Sequence, residues 1–592
     1  MKKILALLLI VCMILPLAAC GGATETGAAV ETSDESLGDE TVHTIASAVT
    51  IPEGETYDFA SHLPLVKEGE DNKLTVGLRA DANCTDYKDN DYTRWLEEKT
   101  GVDLEFIQFS GTAADAATQI ALMTAAGEKL PDILIHFTGI TKAQGEVYGR
   151  DGYFLDLKDY FMDPDMNYYR RWGLNHHFYY DETVNDMLML RGTDSETGAI
   201  YSYPFLVNDP EDNPKCHTVI NRLWLEKLGL EMPTTIDELY DVLVAFRDQD
   251  PNGNGKKDEI PMISRVATYK DIIHWLMNAF LFVDDSYYFT VENDKLDLPY
   301  DKDEYRQAMI FIKKLVDEGL LSPQTWTISA AEHKGLLNPE DGVYTVGISA
   351  GTTYTDFLAS GHSMQDYQIV PPLKDAGYGK GGYGPMSYYR MEYNTFITED
   401  CDDPELAFRL LDFMCAPDNT VRMYWGMEGR DWEYVDKSEG LTGHLGGPAD
   451  IRLLADPDIH TYPNNIIWQF YLGLECTQTT QTAVDLSDPD SFISARYKQD
   501  TDLLKYYAEA GQPDEVFYFN VYTADEIERR NEFVTDIQSY LRTARADFCN
   551  GVTDPASDAD WQAYLDNLDR LGKAEWLEIA QTAYNRTFGK NG

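Results

Sequence analysis

Apolar and polar positions alternate in short runs from residue 73 onward, and the period switches repeatedly between that of a strand and that of a helix. Residues 74–78 and 102–109 have the two-residue period of strands, and the short apolar run at residues 131–135 also indicates a strand. Residues 92–99 and 113–126 carry helical patterns that end at glycines. Strands that alternate with helices predict an α/β fold with a largely parallel sheet.

Helical patterns continue along the rest of the chain. They cover residues 223–228, 235–246, 305–318 and 404–414, and most of the chain from residue 525 onward. Thr235 and Glu238 have the spacing of a capping box, which marks the start of the second of these helices. Residues 342–349 have the pattern of a further strand.

The first twenty residues have a different pattern. Lys2 and Lys3 precede an apolar run at residues 4–17, and Leu17-Ala18-Ala19-Cys20 closes it. The run is too short to span a membrane, and its flanks are those of a secretory leader. It resembles a bacterial lipoprotein signal peptide, the alternative being an ordinary leader with a chance cysteine. We therefore expect residues 1–19 to be removed, and lipid on Cys20 to hold the protein at the extracellular face of the cell membrane.

Residues 20–72 are predicted to join this lipidated cysteine to the folded body. Residues 21–56 contain no Lys, Arg, Phe, Trp or Tyr. Such a composition cannot bury enough apolar surface to become ordered. We therefore predict a flexible tether.

Composition narrows the classes of partner. A chain of 592 residues predicts at least two lobes or domains. A formal net charge of −53 argues against nucleic acid as a partner. The cysteines of the body are scattered without a C-x-x-C pair, which argues against a cysteine zinc site but leaves one or two disulfides open. They are Cys84, Cys216, Cys401, Cys415, Cys476 and Cys549.

Five stretches together resemble the extracellular solute-binding proteins of ABC importers, in the large family that includes maltose-, lipo-oligosaccharide- and alginate-binding proteins. They are residues 92–102, 127–133, 224–235, 250–261 and 424–432. The resemblance implies a two-lobe, periplasmic-binding-protein-like Venus flytrap of class II with a helical C-terminal part. It also implies an oligosaccharide or other small solute in the cleft, presentation of the closed form to ABC permease subunits, and a monomer.

The resemblance also gives approximate lobe boundaries. Lobe 1 is expected to comprise residues 73–205 and 371–432. Lobe 2 is expected to comprise residues 206–370 and 433–592. The chain would then cross between the lobes near residues 204–207, near residues 370–372 and just after Trp432.

The fourth stretch predicts a structural calcium ion. Side-chain oxygens recur at alternate positions and a glycine follows, as at the start of an EF-hand loop. The expected ligands are Asp250, Asn252, Asn254, the carbonyl of Lys256, Asp258 and Glu259. The loop departs from the EF-hand at its twelfth position, Pro261, which cannot bind calcium through its side chain. A polar turn between a helix and a strand is the alternative.

Candidate ligand contacts come from the loops at strand ends and from the predicted crossings. They are Arg79, Asp81, Asn83, Trp275, Tyr388, Arg390, Trp425, Glu428, Arg430 and Trp432. Each has an alternative: the tryptophans can belong to the core, and the charged residues can form ion pairs. The arginines suit an acidic sugar, but neutral oligosaccharides also bind arginine, so both ligand classes stay open.

Two other functions remain as alternatives. A surface-anchored glycan-degrading enzyme would need a catalytic site, and the strongest candidate is the G-x-S-x-G match at residues 347–351, which places Ser349 as a nucleophile. The residues after this match make a weak helix start, so a simple turn is favoured. His176 and His177 lack metalloprotease spacing and are expected in a surface turn. A peptide-binding lipoprotein of the same fold is the second alternative, and we favour a binding protein that makes and breaks no bond.

Overall fold

The structure is a computed structural model that describes residues 55–588 apart from internal gaps. The residues outside the description are 1–54, 68, 70, 83, 178–188, 190, 195, 208–213, 215, 267–270, 352–356, 359–360, 387–389, 444–446, 455–463, 469–481, 484–491, 518–519, 521 and 589–592. The predicted signal peptide, Cys20, most of the predicted tether, Asn83, Tyr388 and Cys476 therefore lie outside the described residues.

The strands occur in five small sheets. In chain order they are β1 (Lys73–Arg79), β2 (Asp103–Phe109), β3 (Ile133–Leu134), β4 (Phe205–Val207), β5 (His217–Asn221), β6 (Ile260–Met262), β7 (Thr290–Glu292), β8 (Lys295–Asp297), β9 (Val346–Gly351), β10 (Tyr367–Ile369), β11 (Arg390–Glu392), β12 (Phe396–Ile397), β13 (Trp432–Tyr434), β14 (Ile451–Leu453) and β15 (Thr482–Ala483). The strands predicted near residues 74, 102, 131 and 342 are all present, although their ends differ from the predicted ones by up to four residues.

Helices surround these sheets. In chain order they are α1 (Asp91–Thr100), α2 (Ala113–Ala126), α3 (Lys142–Arg150), α4 (Lys158–Met162), α5 (Tyr168–His177), α6 (Arg222–Leu228), α7 (Ile236–Asp248), α8 (Ile272–Met277), α9 (Asp303–Asp317), α10 (Ala330–Leu337), α11 (Gly361–Asp366), α12 (Pro404–Met414), α13 (Pro417–Trp425), α14 (Phe492–Ala510), α15 (Ala524–Asn531), α16 (Val534–Cys549), α17 (Asp558–Leu571) and α18 (Lys573–Thr587). The capping box of Thr235 and Glu238 is formed at the start of α7. His176 and His177 end α5, so the turn predicted for them is wrong.

Lobe 1 is built on the sheet β12-β3-β1-β2. Strand β1 pairs in parallel with β2 and β3, whereas β12 joins β3 antiparallel. Leu74, Val76 and Leu78 alternate along β1 and are buried. Parallel strands expose their carboxyl ends at one edge of a sheet, and α/β proteins bind ligands at that edge.

Lobe 2 is built on the sheet β10-β5-β9-β6. Strand β9 is parallel to β6, but β5 runs antiparallel to both β9 and β10. This sheet is therefore mixed, in contrast to the largely parallel sheet that the alternation of elements predicted. His217, which begins β5, pairs with Gly351, which ends β9.

A two-stranded ribbon connects the lobes. Strand β4 pairs antiparallel with β11, and an isolated bridge between Pro214 and Met386 extends the pairing towards lobe 2. Strand β4 contains part of the segment where the first crossing was expected. Val370 and Leu373, near the second expected crossing, pack in the same core as Ile220 of β5.

The cores show which segments belong together. The core of lobe 1 draws residues from positions 66–203 and again from positions 393–423. It also contains Trp468, whose Nε1 donates to Thr93 Oγ1 over 2.7 Å. The chain therefore stays with lobe 1 well beyond Trp432. The main core of lobe 2 joins residues from positions 216–373 to the helices α16, α17 and α18.

An N-terminal arm, residues 55–67, packs on lobe 1 although residues 20–72 were assigned to the tether. The Tyr57 hydroxyl donates to Asp418 over 2.9 Å, and the Tyr169 hydroxyl donates to the Phe59 carbonyl over 2.7 Å. The rings of Phe59 and Phe413 lie 5.6 Å apart. The rings of Tyr57 and Phe59 supply apolar surface with which the arm packs on the core of lobe 1.

Two further predictions concern cysteines and membranes. Cys84, Cys216, Cys401, Cys415 and Cys549 are buried thiols, so no disulfide joins the cysteines that the structure describes. Within the described ranges, no helix combines the length and apolar character needed to cross a membrane.

Candidate functional site

The lobe 1 end of the ribbon carries a polar cluster at the carboxyl ends of β1 and β3. Arg79 ends β1, and its Nη1 donates to the Gly111 carbonyl over 3.1 Å. Partial burial lowers the pKa of the Arg79 guanidinium, and the nearby carboxylates of Asp81 and Glu392 act in the opposite direction. Arg79 and Asp81 therefore lie together at this edge of the sheet, as their positions after β1 predicted.

Three members of this lobe 1 cluster were not predicted. His136 follows β3 with a φ of 56°, in the left-handed region that non-glycine residues seldom adopt. Its Nδ1 lies 3.2 Å from Glu392 Oε2, and Asn394 Nδ2 donates to the same oxygen over 3.0 Å. Such backbone strain concentrates at functional sites. The rule that selected Arg79, position after a strand, would also have selected His136.

The lobe 2 end of the ribbon carries a small, partly enclosed pocket. Aromatic and polar side chains from α8, the loop after α8, the segments before β5 and β11, and α14 form its wall. The lining residues are Cys216, His274, Trp275, Asn278, Val283, Asp284, Tyr383, Pro385 and Tyr507. Because Cys216 and Pro385 flank the bridge between Pro214 and Met386, the pocket lies directly beside the crossing.

Trp275 is the predicted ligand residue that this pocket contains. It lies on α8, and only 4% of it is exposed. Its indole Nε1 is buried and has no hydrogen-bond partner among the described residues. A buried donor without a partner costs free energy, which a ligand acceptor in the pocket would recover.

A buried ionic network fixes α8 from behind. His274 Nδ1 lies 3.1 Å from Asp271 Oδ1, and its Nε2 lies 2.9 Å from Asp285 Oδ2. Arg545, on α16, donates to Asp285 Oδ2 over 2.6 Å. Burial alone would lower the pKa of His274, but Asp285 and Asp271 outweigh it and raise the pKa to about 9. The imidazolium therefore joins the C-terminal helices to the pocket helix.

This network predicts a loss of stability at alkaline pH. Folding raises the pKa of His274 from 6.5 to about 9, so its contribution is full below pH 6.5 and is lost as the pH rises through 9. Urea unfolding from about pH 6 to about pH 10 should show wild type losing roughly 2–4 kcal/mol more than His274→Gln. Parallel pH profiles for the two proteins would contradict the charged assignment.

The fifth family-like stretch braces lobe 1 instead of lining the pocket. Arg430 pairs with Asp91 and Asp431, and Glu428 pairs with Arg422. Trp432 is completely buried, and its Nε1 donates to the Gly426 carbonyl over 2.8 Å.

Trp425 and Arg390 complete the predicted set. Trp425 is half-buried beside Val421 and Trp432, in a small core of its own. Arg390 begins β11, and only its backbone is described. In this structure the tryptophans and charges of the fifth stretch thus serve packing and ion pairing within lobe 1.

Ser349 does not have the surroundings of a nucleophile. It lies inside β9 and is fully buried, whereas a nucleophile must be exposed to its substrate. His333 Nε2 lies 2.7 Å from Ser349 Oγ, and burial followed by the charge of Arg265 lowers the pKa of His333 to about 4. His333 and Ser349 are therefore a neutral imidazole and a hydroxyl that satisfy each other by a hydrogen bond within the core.

The predicted calcium loop folds around its own oxygen atoms. Asp250 Oδ1 accepts the Gly253 N–H over 3.0 Å, and Asp258 Oδ1 accepts the Nδ2 groups of Asn252 and Asn254 over 3.0 and 3.1 Å. Among the described residues, no three His, Cys, Asp or Glu side chains are grouped as a metal site.

One oxygen of this loop fits a cation. Glu259 Oε1 is buried without a hydrogen-bond partner. Burial, followed by the charges of Asp250 and Asp258, raises the pKa of Glu259. Carboxylates that converge in this way gain from a divalent ion with hard oxygen ligands. The donor set thus suits calcium.

Comparison with known proteins agrees with this architecture. The sequence model of the family described as bacterial extracellular solute-binding protein matches residues 85–421. The fructooligosaccharide ABC transporter substrate-binding protein FusA of Streptococcus pneumoniae serotype 4 (strain ATCC BAA-334 / TIGR4) is 26% identical over 510 residues, which cover 83% of this chain and 86% of FusA. Lipoprotein LipO of Bacillus subtilis (strain 168) is 37% identical over 226 residues, 37% of this chain and 44% of LipO.

Solved structures show the same fold. FusA of S. pneumoniae in complex with kestose superposes with a TM-score of 0.65 at 22% identity, over 88% of this chain and 100% of FusA. An EF-hand mutant of FusA in complex with fructo-nystose gives a TM-score of 0.64 at 22% identity, with the same coverage. Because the family match spans more than half of the chain and the two-lobe fold agrees with it, the chain belongs to the bacterial extracellular solute-binding protein family.

Proposed function

We propose that this protein is the substrate-binding component of an ABC importer and that it captures an oligosaccharide between its lobes. The observation that carries the proposal is the pocket beside the ribbon, where Trp275 offers a buried indole N–H without a partner. The sequence similarity to FusA, whose name states a fructooligosaccharide ligand, supports the same class of solute. Aromatic faces with a few polar groups suit sugar rings and their hydroxyls.

Lobe closure follows from the ribbon. Glu392, at its lobe 1 end, pairs with Phe205, and Met386, at its lobe 2 end, pairs with Pro214. Small rotations of backbone dihedrals along these strands would bring the lobe 1 cluster towards the lobe 2 pocket, as in hinge closure around a ligand. A solute that contacts both walls favours the closed form by its differential affinity for that form.

Charge favours a neutral glycan over an acidic one. In lobe 1 the carboxylates of Asp81 and Glu392 outnumber the guanidinium of Arg79, and Asp284 lines the lobe 2 pocket. Arg430 is one of the arginines that made an acidic sugar a possible ligand, but it is paired with two aspartates. Like charges disfavour uronate binding at such walls, whereas carboxylates accept hydrogen bonds from sugar hydroxyls.

Calorimetry with the soluble body, residues 55–592, tests this function. Kestose and other neutral oligosaccharides should bind with a saturable signal, galacturonides should bind more weakly, and chromatography should show no cleavage product. Binding of peptides alone, or release of sugar products, would support one of the alternatives instead.

We also propose a structural calcium ion in the loop of residues 250–259. Asp250, Asp258, Glu259 and the Lys256 carbonyl would supply oxygens, and the amides of Asn252 and Asn254 would turn their oxygens inward. The existence of an EF-hand mutant of FusA supports a loop of this kind in a relative. The ion would neutralise the converging carboxylates and hold the connection between α7 and β6.

Calcium removal should therefore lower the melting temperature. We expect chelation to reduce it by roughly 2–10 °C, and calcium to restore it, because an ion that binds only the folded state stabilises that state. Asp258→Ala should abolish the calcium response. Asp248→Ala, which removes an exposed partner of Arg247 just before the loop, should retain it. An unchanged response in Asp258→Ala would contradict this ligand set.

Finally, we propose that Cys20 carries the lipid anchor and that the mature, monomeric protein works at the outer face of the membrane. The lipobox-like residues 17–20 support this, and LipO, a relative over part of the chain, is named a lipoprotein. Mass spectrometry of the mature N-terminus tests it, and a Cys20→Ser protein that still partitions with membranes would contradict it.

A further inference from the structure

A glycine-rich loop, residues 375–382, forms around the carboxylate of Asp375. Asp375 Oδ2 accepts the N–H groups of Gly377 and Gly379 over 3.1 and 3.0 Å, and Oδ1 accepts that of Gly381 over 3.2 Å. Partial burial alone would raise the pKa of Asp375, but these N–H groups outweigh it and lower the pKa. One side chain thus holds the loop in shape.

The loop is also fastened to the end of the pocket helix α8. The Ala376 N–H donates to the Ala279 carbonyl over 2.7 Å, and the Gly382 N–H donates to the Asn278 carbonyl over 2.8 Å. A Cβ atom on Gly381 would lie 2.2 Å from the Ala279 carbonyl oxygen. The close approach therefore requires glycine at this position.

The residues that follow the loop form part of the pocket. Tyr383 and Pro385 line it, and the Tyr383 ring packs edge-on against Phe282 with centroids 5.9 Å apart. The Gly384 N–H donates to the Gly511 carbonyl over 3.0 Å. The next described strand is β11, which forms the ribbon. The loop therefore lies between α8, the pocket wall and the crossing.

We propose that Asp375 is a positioning residue for ligand capture: its carboxylate shapes the loop that places Tyr383 in the wall of the pocket that also contains Trp275, and ties this wall to the ribbon. The identity of the ligand rests on the proposed function. The role of Asp375 in placing the pocket wall does not depend on it. Asp375 itself does not line the pocket.

A carboxylate is required because both of its oxygens accept backbone N–H groups. An asparagine offers one accepting oxygen and one donating NH₂ group, and a donor that faces an N–H group is repelled. Asp375→Asn should therefore release either Gly381 or the pair Gly377 and Gly379. Gly381→Ala should release the loop independently, by contact with the Ala279 carbonyl.

The thiol of Cys216 gives a readout that needs no ligand. Cys216 lines the pocket and is 3% exposed, whereas Cys415 and Cys549 are buried in the two cores. We expect N-ethylmaleimide to label Cys216 about tenfold faster in Asp375→Asn and in Gly381→Ala than in wild type, as local opening increases. Peptide mass spectrometry should show unchanged labelling of Cys415 and Cys549.

Matched measurements separate the possible outcomes. Asp341→Asn, which changes an exposed carboxylate that accepts the Val343 N–H on the same lobe, should leave Cys216 labelling unchanged. If wild type binds kestose, the two loop variants should bind it about tenfold more weakly at similar melting temperatures. Unchanged Cys216 labelling, or equal acceleration at all three cysteines, would overturn the proposal. Faster Cys216 labelling in a protein that binds no sugar would uphold the positioning role and contradict the proposed function.

Discussion

Arg545→Ala should destabilise lobe 2 by about 3–5 kcal/mol, because it removes one partner of a buried ion pair. Arg545 is 8% exposed and contacts Asp285, whose side chain is 7% exposed. Without the guanidinium, His274 alone must balance the carboxylates of Asp271 and Asp285. Urea unfolding followed by a lobe 2 signal, such as exchange of α8 amides, measures the loss.

Arg529→Ala is the matched control. Arg529 also belongs to the C-terminal helices and pairs with Glu575, but both side chains of this pair are exposed. Such surface pairs contribute at most about 1 kcal/mol. Similar losses for the two variants would contradict the role given to the buried network.

Trp275→Phe should weaken glycan binding by about 10–100-fold while it changes the melting temperature little. Phenylalanine keeps an aromatic face in the pocket but removes the indole N–H, which has no partner among the described residues. A hydrogen bond to a ligand in a desolvated site is worth about 1–3 kcal/mol. Calorimetric titration of the variant and wild type with the glycan found in the screen measures the effect.

Trp576→Phe provides the comparison for this substitution. Trp576 belongs to the same core, is 1% exposed, and also has a buried Nε1 without a hydrogen-bond partner among the described residues. It does not line the pocket. Its variant should therefore bind glycan as wild type does, and an equal loss of affinity in both variants would assign the effect to core packing.

Local signals in the sequence were sufficient for many elements. Helix α2 begins after Thr112, which caps it, and ends at Gly127, and helix α12 has Glu405 in its first turn. These ends depend on side chains within a few residues, which is why a periodic pattern with caps located them. Strands β1, β2 and β3 were found because their apolar runs are also local, whereas β12 was not predicted.

Contacts between residues far apart in the sequence determine the features that local patterns did not predict. Glu392 joins the lobe 1 cluster because β11 pairs with β4, and Arg545 joins the network behind α8 although it lies 260 residues from Asp285. The fifth stretch was predicted to bind ligand, but Asp91, which engages Arg430, lies far away in the sequence. No local pattern carries such pairings, so aromatic and charged residues near a crossing could not be divided between core and cleft.

The N-terminal arm determines which lobe receives a force that is applied through the preceding segment of the chain. Residues 55–67 are held to lobe 1 through Tyr57 and Phe59, whereas the C-terminal helices belong to lobe 2. A force applied through residues 1–54 would therefore reach lobe 1 before it reaches lobe 2. With the attachment proposed through Cys20, closure would move lobe 2 relative to the anchored lobe 1. A fluorescent label on α17 should then change its distance from the membrane more on ligand capture than a label on α1.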